Sequence, residues 1–154
     1  MVRLGIISDS HGGMVRLEQF ARLAEREKLD AIIHLGDGQS DAKWLRKNVS
    51  MPVHFVAGNC DWPGSAPREA RLSFGGVQML AVHGDKYGVK LDYGPLSYYA
   101  EEAGAAIALF GHTHQPFAGY VGGVMLLNPG ALNAGKYAIL EIEKGNAVPF
   151  LKEL

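Results

Sequence analysis

Five short segments of this chain each close an apolar, strand-like run with side chains that bind metal ions. They are Asp9-Ser10-His11, Gly36-Asp37, Gly58-Asn59-Cys60-Asp61, His83-Gly84 and Gly111-His112-Thr113-His114. Each follows a run of Ile, Leu, Val, Phe or Ala, which reads as a buried strand. A chain built this way must fold so that several strands deliver their loops to one edge of a sheet. An edge furnished with carboxylates, imidazoles and an amide is suited to cations.

The rest of the pattern fits around those strands. Residues 2–8 read as a strand, followed by a helix over about 14–28 with Val15, Leu17, Phe20, Leu23 and Ala24 as its apolar stripe. Residues 31–35 form a second strand, 40–47 a short helix with Ser40 or Asp41 as N-cap, and 53–57 a third strand. This alternation favours a parallel sheet. Hairpins follow: 70–74 and 77–82 flank Gly75-Gly76, 117–121 and 124–127 flank Gly122-Gly123, and 137–143 and 147–151 flank Lys144-Gly145-Asn146. Between them, 95–103 reads as a helix with Pro95 in its first turn and Gly104 past its end, and 105–110 as a strand. The expectation is a mixed α/β (α+β) fold of two mixed sheets packed together with helices outside. With 154 residues and no repeat or linker, residues 1–154 are expected to form a single domain.

Composition narrows the function classes. A net charge of −1 offers no broad field for nucleic acid or an anionic membrane, so no nucleic-acid surface is expected. No run approaches the ~20 apolar residues that span a bilayer. The apolar stretch after Met1 is too short for a signal peptide, and the single cysteine forms no internal disulfide. A cytoplasmic protein is the expectation, with room for a homo-oligomer.

In an extended chain residues i and i+2 point the same way, so Asp9 with His11, and His112 with His114, are each expected to aim at one point. Imidazole with carboxylate and amide oxygen, and no thiolate, suits Mn, Fe, Co, Ni or Zn better than calcium or a structural zinc. Asp9, His11, Asp37, Asn59, His83, His112 and His114 are too many for one tetrahedral ion. They suffice for two ions roughly 3.5–4 Å apart. Asp37 is the candidate bridge, because Gly36 and Gly38 let its loop bend.

These five blocks resemble the signature of the calcineurin-like metallophosphoesterases, most closely the small single-domain bacterial and archaeal phosphodiesterase branch. The Gly58-Asn59-Cys60-Asp61 wording and the Asn128-Pro129-Gly130 turn belong to that likeness. The resemblance implies a four-layer αββα sandwich with its site at the C-terminal strand ends. It implies one metal held by Asp9, His11, Asp37 and His114, and a second held by Asp37, Asn59, His83 and His112. It further implies a phosphoester substrate attacked by a hydroxide between the two ions. Asn59 and His83 are then candidates to touch substrate, and Asp61 to orient the groups behind them.

One position departs from the pattern. Many relatives carry His where this chain has Cys60, and a thiol with an ordinary pKa near ~8.5 does not replace an imidazolium. Cys60 is therefore read as a small, partly buried residue, and the reaction as favouring diesters with good leaving groups. The alternatives are a monoesterase or nucleotide hydrolase on the same site, and a non-catalytic scaffold of the same fold, as in the retromer coat.

Several other residues have plainer readings. His34 and His54 lie inside strands and read as structural or supporting histidines, and Asp41 as a helix cap. Tyr87, Tyr93, Tyr98, Tyr99 and Trp62 read as packing or exposed aromatics rather than a substrate wall, and Arg68 as a weak phosphate contact.

Overall fold

The computed structural model describes residues 1–154. Its strands are β1 (Val2–Ile7), β2 (Ala31–His34), β3 (Val53–Phe55), β4 (Glu69–Phe74), β5 (Val77–Val82), β6 (Ile107–Leu109), β7 (Phe117–Val121), β8 (Val124–Asn128), β9 (Lys136–Glu143) and β10 (Asn146–Glu153). Its helices are α1 (Met14–Arg26), α2 (Gln39–Asn48) and α3 (Gly94–Glu102). Two five-stranded sheets result, ordered β10-β9-β1-β2-β3 and β4-β5-β6-β8-β7. In the first, β1, β2 and β3 are parallel and β9 and β10 antiparallel; in the second, β5, β6 and β8 are parallel and β4 and β7 antiparallel. Both sheets are mixed, as expected.

Strand alternation builds the layers. Leu4, Ile6 and Ile33 of the first sheet meet Met79, Ala81, Leu109 and Leu127 of the second in a buried core between the sheets. The opposite face of the first sheet, with Ile7, Ile32 and Val53, is covered by Leu17 and Phe20 of α1 and Leu45 of α2. The opposite face of the second, with Leu80, Ala108 and Leu126, is covered by Leu96 and Ala100 of α3. The order is helix, sheet, sheet, helix. No helix is long and apolar enough to cross a membrane.

The structure corrects details of the helices. Val15 is 72% exposed, and Ala21 takes a place in the buried stripe of α1. At about 100° per residue, Val15 lies roughly opposite the arc that joins Leu17, Phe20, Ala21 and Ala24. Helix α2 begins after Gly38, and neither Ser40 nor Asp41 makes a side-chain cap bond. Its first N–H groups are met from outside the helix, by Asp61. Strands β3 and β6 are also shorter than expected: β3 ends at Phe55, ahead of its site loop, and β6 starts only at Ile107, because Ala105 still bonds back to the end of α3.

Parallel strands end together, and this positions the site. The loops after β1 and β2 are joined backbone to backbone, Asp9 N–H donating to Gly36 C=O (3.0 Å) and His11 N–H to Asp37 C=O (3.1 Å), and those after β5 and β6 by Gly111 N–H to His83 C=O (2.9 Å).

Candidate metal centre

The site loops are not extended. Asp9 (φ 55°), His11 (φ 48°), Asp37 (φ 60°), His112 (φ 68°) and His114 (φ 62°) all adopt left-handed backbone, and only Lys28 and Lys144 join them among non-glycine residues. Left-handed turns, rather than the alternation of a strand, aim the two pairs of side chains. Such strain clusters where the surroundings over-determine it and function uses it. Gly36 (φ 104°) is required at its turn, because a Cβ there would approach His83 Nδ1 to 2.8 Å and Gly58 N to 2.7 Å.

Asp9 and Asp37 are buried, and their carboxylates face a shared space. Asp9 Oδ1 lies 3.2 Å from His114 Nε2, 3.7 Å from His11 Nε2 and 3.8 Å from His83 Nε2. Asp37 Oδ2 lies 3.2 Å from His83 Nε2 and 3.9 Å from His11 Nε2. Three overlapping groups have donor atoms all within 4.8 Å of one another: Asp9, His11 and His114; His11, Asp37 and Cys60; Asp9, Asp37 and His83. The ring of His112 packs edge-on against that of His83, with centroids 5.1 Å apart, and the His112 backbone N–H donates to Asp9 Oδ2 at 3.1 Å. Asn59 stands at the exposed rim, where its amide reaches Cys60 Sγ at 3.6 Å.

The chemistry of this donor set fits a divalent cation. His83 Nδ1 sits 2.7 Å from Leu35 C=O, which fixes the proton there and leaves Nε2 as the lone-pair nitrogen of the neutral ring. That Nε2 is buried without a hydrogen-bond partner. It also faces two carboxylates, an arrangement that calls for positive charge between them. Protonation answers to the same field. Burial pushes the His83 imidazole down, but the Asp37 and Asp9 carboxylates hold it above its usual range. Burial likewise raises the Asp37 carboxyl, yet His83 and the Cys60 N–H outweigh it and keep it well below the ordinary carboxylate range.

Sequence comparison gives this geometry its family. The calcineurin-like phosphoesterase superfamily domain matches residues 2–145. The chain belongs to the calcineurin-like phosphoesterase superfamily. The probable metallophosphoesterase YsnB of Bacillus subtilis is 35% identical over 148 residues, covering 92% of this chain and 85% of its own. A structure described as a novel archaeal phosphodiesterase is 18% identical, with a TM-score of 0.81 over 98% of this chain and 100% of the other. Vps29 of Entamoeba histolytica, described as complexed with Zn2+, is 19% identical, with a TM-score of 0.73 over 99% of each chain. At those two identities the likeness is one of fold. Membership and relatives together support a metal-dependent phosphoester hydrolase.

Within this calcineurin-like phosphoesterase, the Asp and His loops are held by hydrogen bonds whose partners the motif spacing did not specify. Asp61 accepts four backbone N–H groups: Oδ2 those of Asp37 (2.9 Å) and Gly58 (2.8 Å), and Oδ1 those of Gly38 (3.0 Å) and Gln39 (3.1 Å). One carboxylate thus ties the 36–39 loop to the 58–61 loop and caps α2. Asp41, expected as that cap, instead accepts the Ser10 hydroxyl (2.5 Å) and the Gly12 N–H (2.9 Å). A first-turn acid looks the same in sequence whether it caps or reaches sideways.

His34 joins this network from inside β2. Its Nδ1 accepts the Gly36 N–H (3.1 Å), so Nε2 carries the proton and donates to Ser10 Oγ (2.8 Å). Burial pushes its pKa down to about 4, and the ring is neutral. Asn128 Nδ2 holds the second His loop through Gly111 C=O and Thr113 Oγ1, both at 3.0 Å. Cys60 is exposed rather than partly buried, because its loop projects past β3. Its backbone N–H donates to Asp37 Oδ1 at 2.8 Å, and slight desolvation at the loop surface together with the Asp37 carboxylate pushes the thiol up. Arg68 is engaged by Asp85 (2.7 Å) and Gly58 C=O (3.3 Å).

Proposed function

We propose that this chain is a phosphodiesterase using two divalent transition-metal ions, Mn, Ni, Fe, Co or Zn. One ion is assigned to Asp9, His11, Asp37 and His114, the other to Asp37, Asn59, His83 and His112. The observation that carries the reading is the place of Asp37 Oδ2, 3.2 Å from His83 Nε2 and 3.9 Å from His11 Nε2. A carboxylate facing one imidazole of each set is what a shared ligand requires; Asp9 Oδ1 also lies between them, but its shortest contact, 3.2 Å, is to His114 of the first set. When bound, divalent ions stabilise charge on phosphoryl oxygens and activate water near neutral pH.

The protein's own groups set the rest. Asp9 is oriented by the Ser8 hydroxyl (2.6 Å) and the His112 N–H, and Asp37 by the Cys60 N–H. A thiol is a weaker acid than an imidazolium, so Cys60 gives a leaving group little protonation, which favours diesters whose leaving groups depart unaided. The expected result is metal-dependent hydrolysis of bis(p-nitrophenyl) phosphate, faster than of alkyl monoesters, in chelator-treated protein resupplied with each metal in turn. Asp37→Ala should lose metal binding and turnover together. Faster alkyl monoester hydrolysis would reverse the diester preference.

A second reading, a non-catalytic scaffold, draws support from the likeness to Vps29, of which one structure carries Zn2+ in its description. Metal binding alone does not separate the two readings; turnover does. Tight metal binding with no ester hydrolysis in any metal would favour the scaffold.

A further inference from the structure

The cavity beside the clustered Asp and His residues has a wall that phosphate hydrolysis does not itself require. It measures about 250 Å3, and His11, Asp37, Cys60, Asp61, Gln39 and Trp62 contribute to its lining. Trp62 is 76% exposed. The tyrosines flanking α3 are occupied otherwise: Tyr87 lies 5.2 Å from Tyr99, and Tyr93 packs on Phe110 (5.1 Å) and Phe117 (4.8 Å). An indole left in water forgoes the largest burial gain of any side chain, so its place in a cavity wall asks for an occupant.

The backbone that carries the indole is also fixed. Asp61, the residue before Trp62, is held by its four backbone N–H contacts, and the Trp62 C=O accepts the Ser65 N–H at 3.1 Å. Beside it, Gln39 Oε1 is buried and without a partner, an acceptor that a ligand can satisfy.

We propose that Trp62 is the platform on which a planar aromatic group of the phosphoester lies, which makes aryl and nucleobase-bearing esters the preferred substrate class. This rests on the phosphoesterase reading above. The cavity falls just below the ~300 Å3 where sites for whole drug-sized ligands begin, so it takes a phosphoryl group with one ring system rather than an oligonucleotide.

The test is calorimetric titration of the Mn-loaded protein with phenylphosphonate and methylphosphonate, whose C–P bonds resist hydrolysis and which differ only in the ring. Stacking on an aromatic side chain corresponds to about fivefold or more in affinity. Phenylphosphonate should bind at least about fivefold more tightly than methylphosphonate in the native protein and in Trp62→Phe, and the ratio should collapse towards one in Trp62→Ala. In a Trp44→Phe background Trp62 is the sole indole, and phenylphosphonate should quench its fluorescence.

An equal ratio in the native protein and Trp62→Ala, or no binding of either probe, overturns the platform. Ring discrimination without ester turnover would remove the catalytic reading and leave the platform standing. Diester turnover with an unchanged KM in Trp62→Ala would do the reverse.

Discussion

Asp61 touches no predicted metal ligand with its side chain except through backbone, yet it holds two of the site loops at once. Hydrogen bonds to a charged group contribute about 1.5–3 kcal/mol each, and four on one carboxylate are not additive. Asp61→Ala is expected to cost about 2–4 kcal/mol in urea unfolding and to weaken metal binding. Asp61→Asn should cost nearly as much, since an amide NH2 would face N–H donors; a fully stable Asn variant would contradict this role. His34 carries a separate prediction. The unfolded imidazole takes a proton near 6.5 and the buried one only near 4, so between these values the unfolded chain binds more protons. Metal-free protein should lose stability as pH falls through that window, by at most about 1.4 kcal/mol per pH unit from this group, and level off below it. Removing that component of the acid slope is the expected effect of His34→Gln; an unchanged slope by pH-dependent chemical denaturation would refute it.

At the level of elements, the apolar periods were legible and the ends were not. The short apolar run through Leu4, Ile6 and Ile7 predicts a buried strand, and both sheets form as expected. Strand geometry predicts that Asp9 with His11, and His112 with His114, each aim at one point; left-handed turns set all four instead, and Asp9, His11 and His114 are the three that share a donor group. Such turns depend on neighbours distant in the chain: Asp9 N–H on Gly36, and Gly111 on His83. No local pattern encodes them. The cap of α2 was missed for the same reason, since Asp61 lies more than 20 residues beyond the helix start it serves. The stripe of α1 shows how a single position misleads. Val15 looks apolar and helical, but its angle faces solvent. Val15→Ser should therefore change stability by no more than about 0.5 kcal/mol. Leu17→Ala, two residues on and fully buried, should cost about 2–5 kcal/mol. Equal midpoints in urea for the two variants would show that the stripe is placed wrongly.

Across the whole molecule, the clustered groups come from both sheets. Asp9, His11 and Asp37 follow strands of the first, while His83, His112 and His114 follow strands of the second. Between the sheets the core is apolar, but at this edge two buried carboxylates face each other across a few ångströms. A cation there would join loops of the two layers and cancel the repulsion, and the unfolded chain, with these residues scattered, offers no such site. Ligand that binds only the native state stabilises it by RT ln(1 + [L]/Kd), about 2.7 kcal/mol at a hundredfold excess over Kd. For a chain of this length 1 kcal/mol moves the melting midpoint by about 2–4 °C. Chelation should therefore lower Tm by roughly 5–10 °C relative to protein saturated with Mn, and added Mn should restore it. Asp37→Ala should melt at one temperature with or without Mn, because the carboxylate shared by the two His sets is gone. If chelator leaves the native protein's midpoint where it was, no cation is bridging the sheets at this edge.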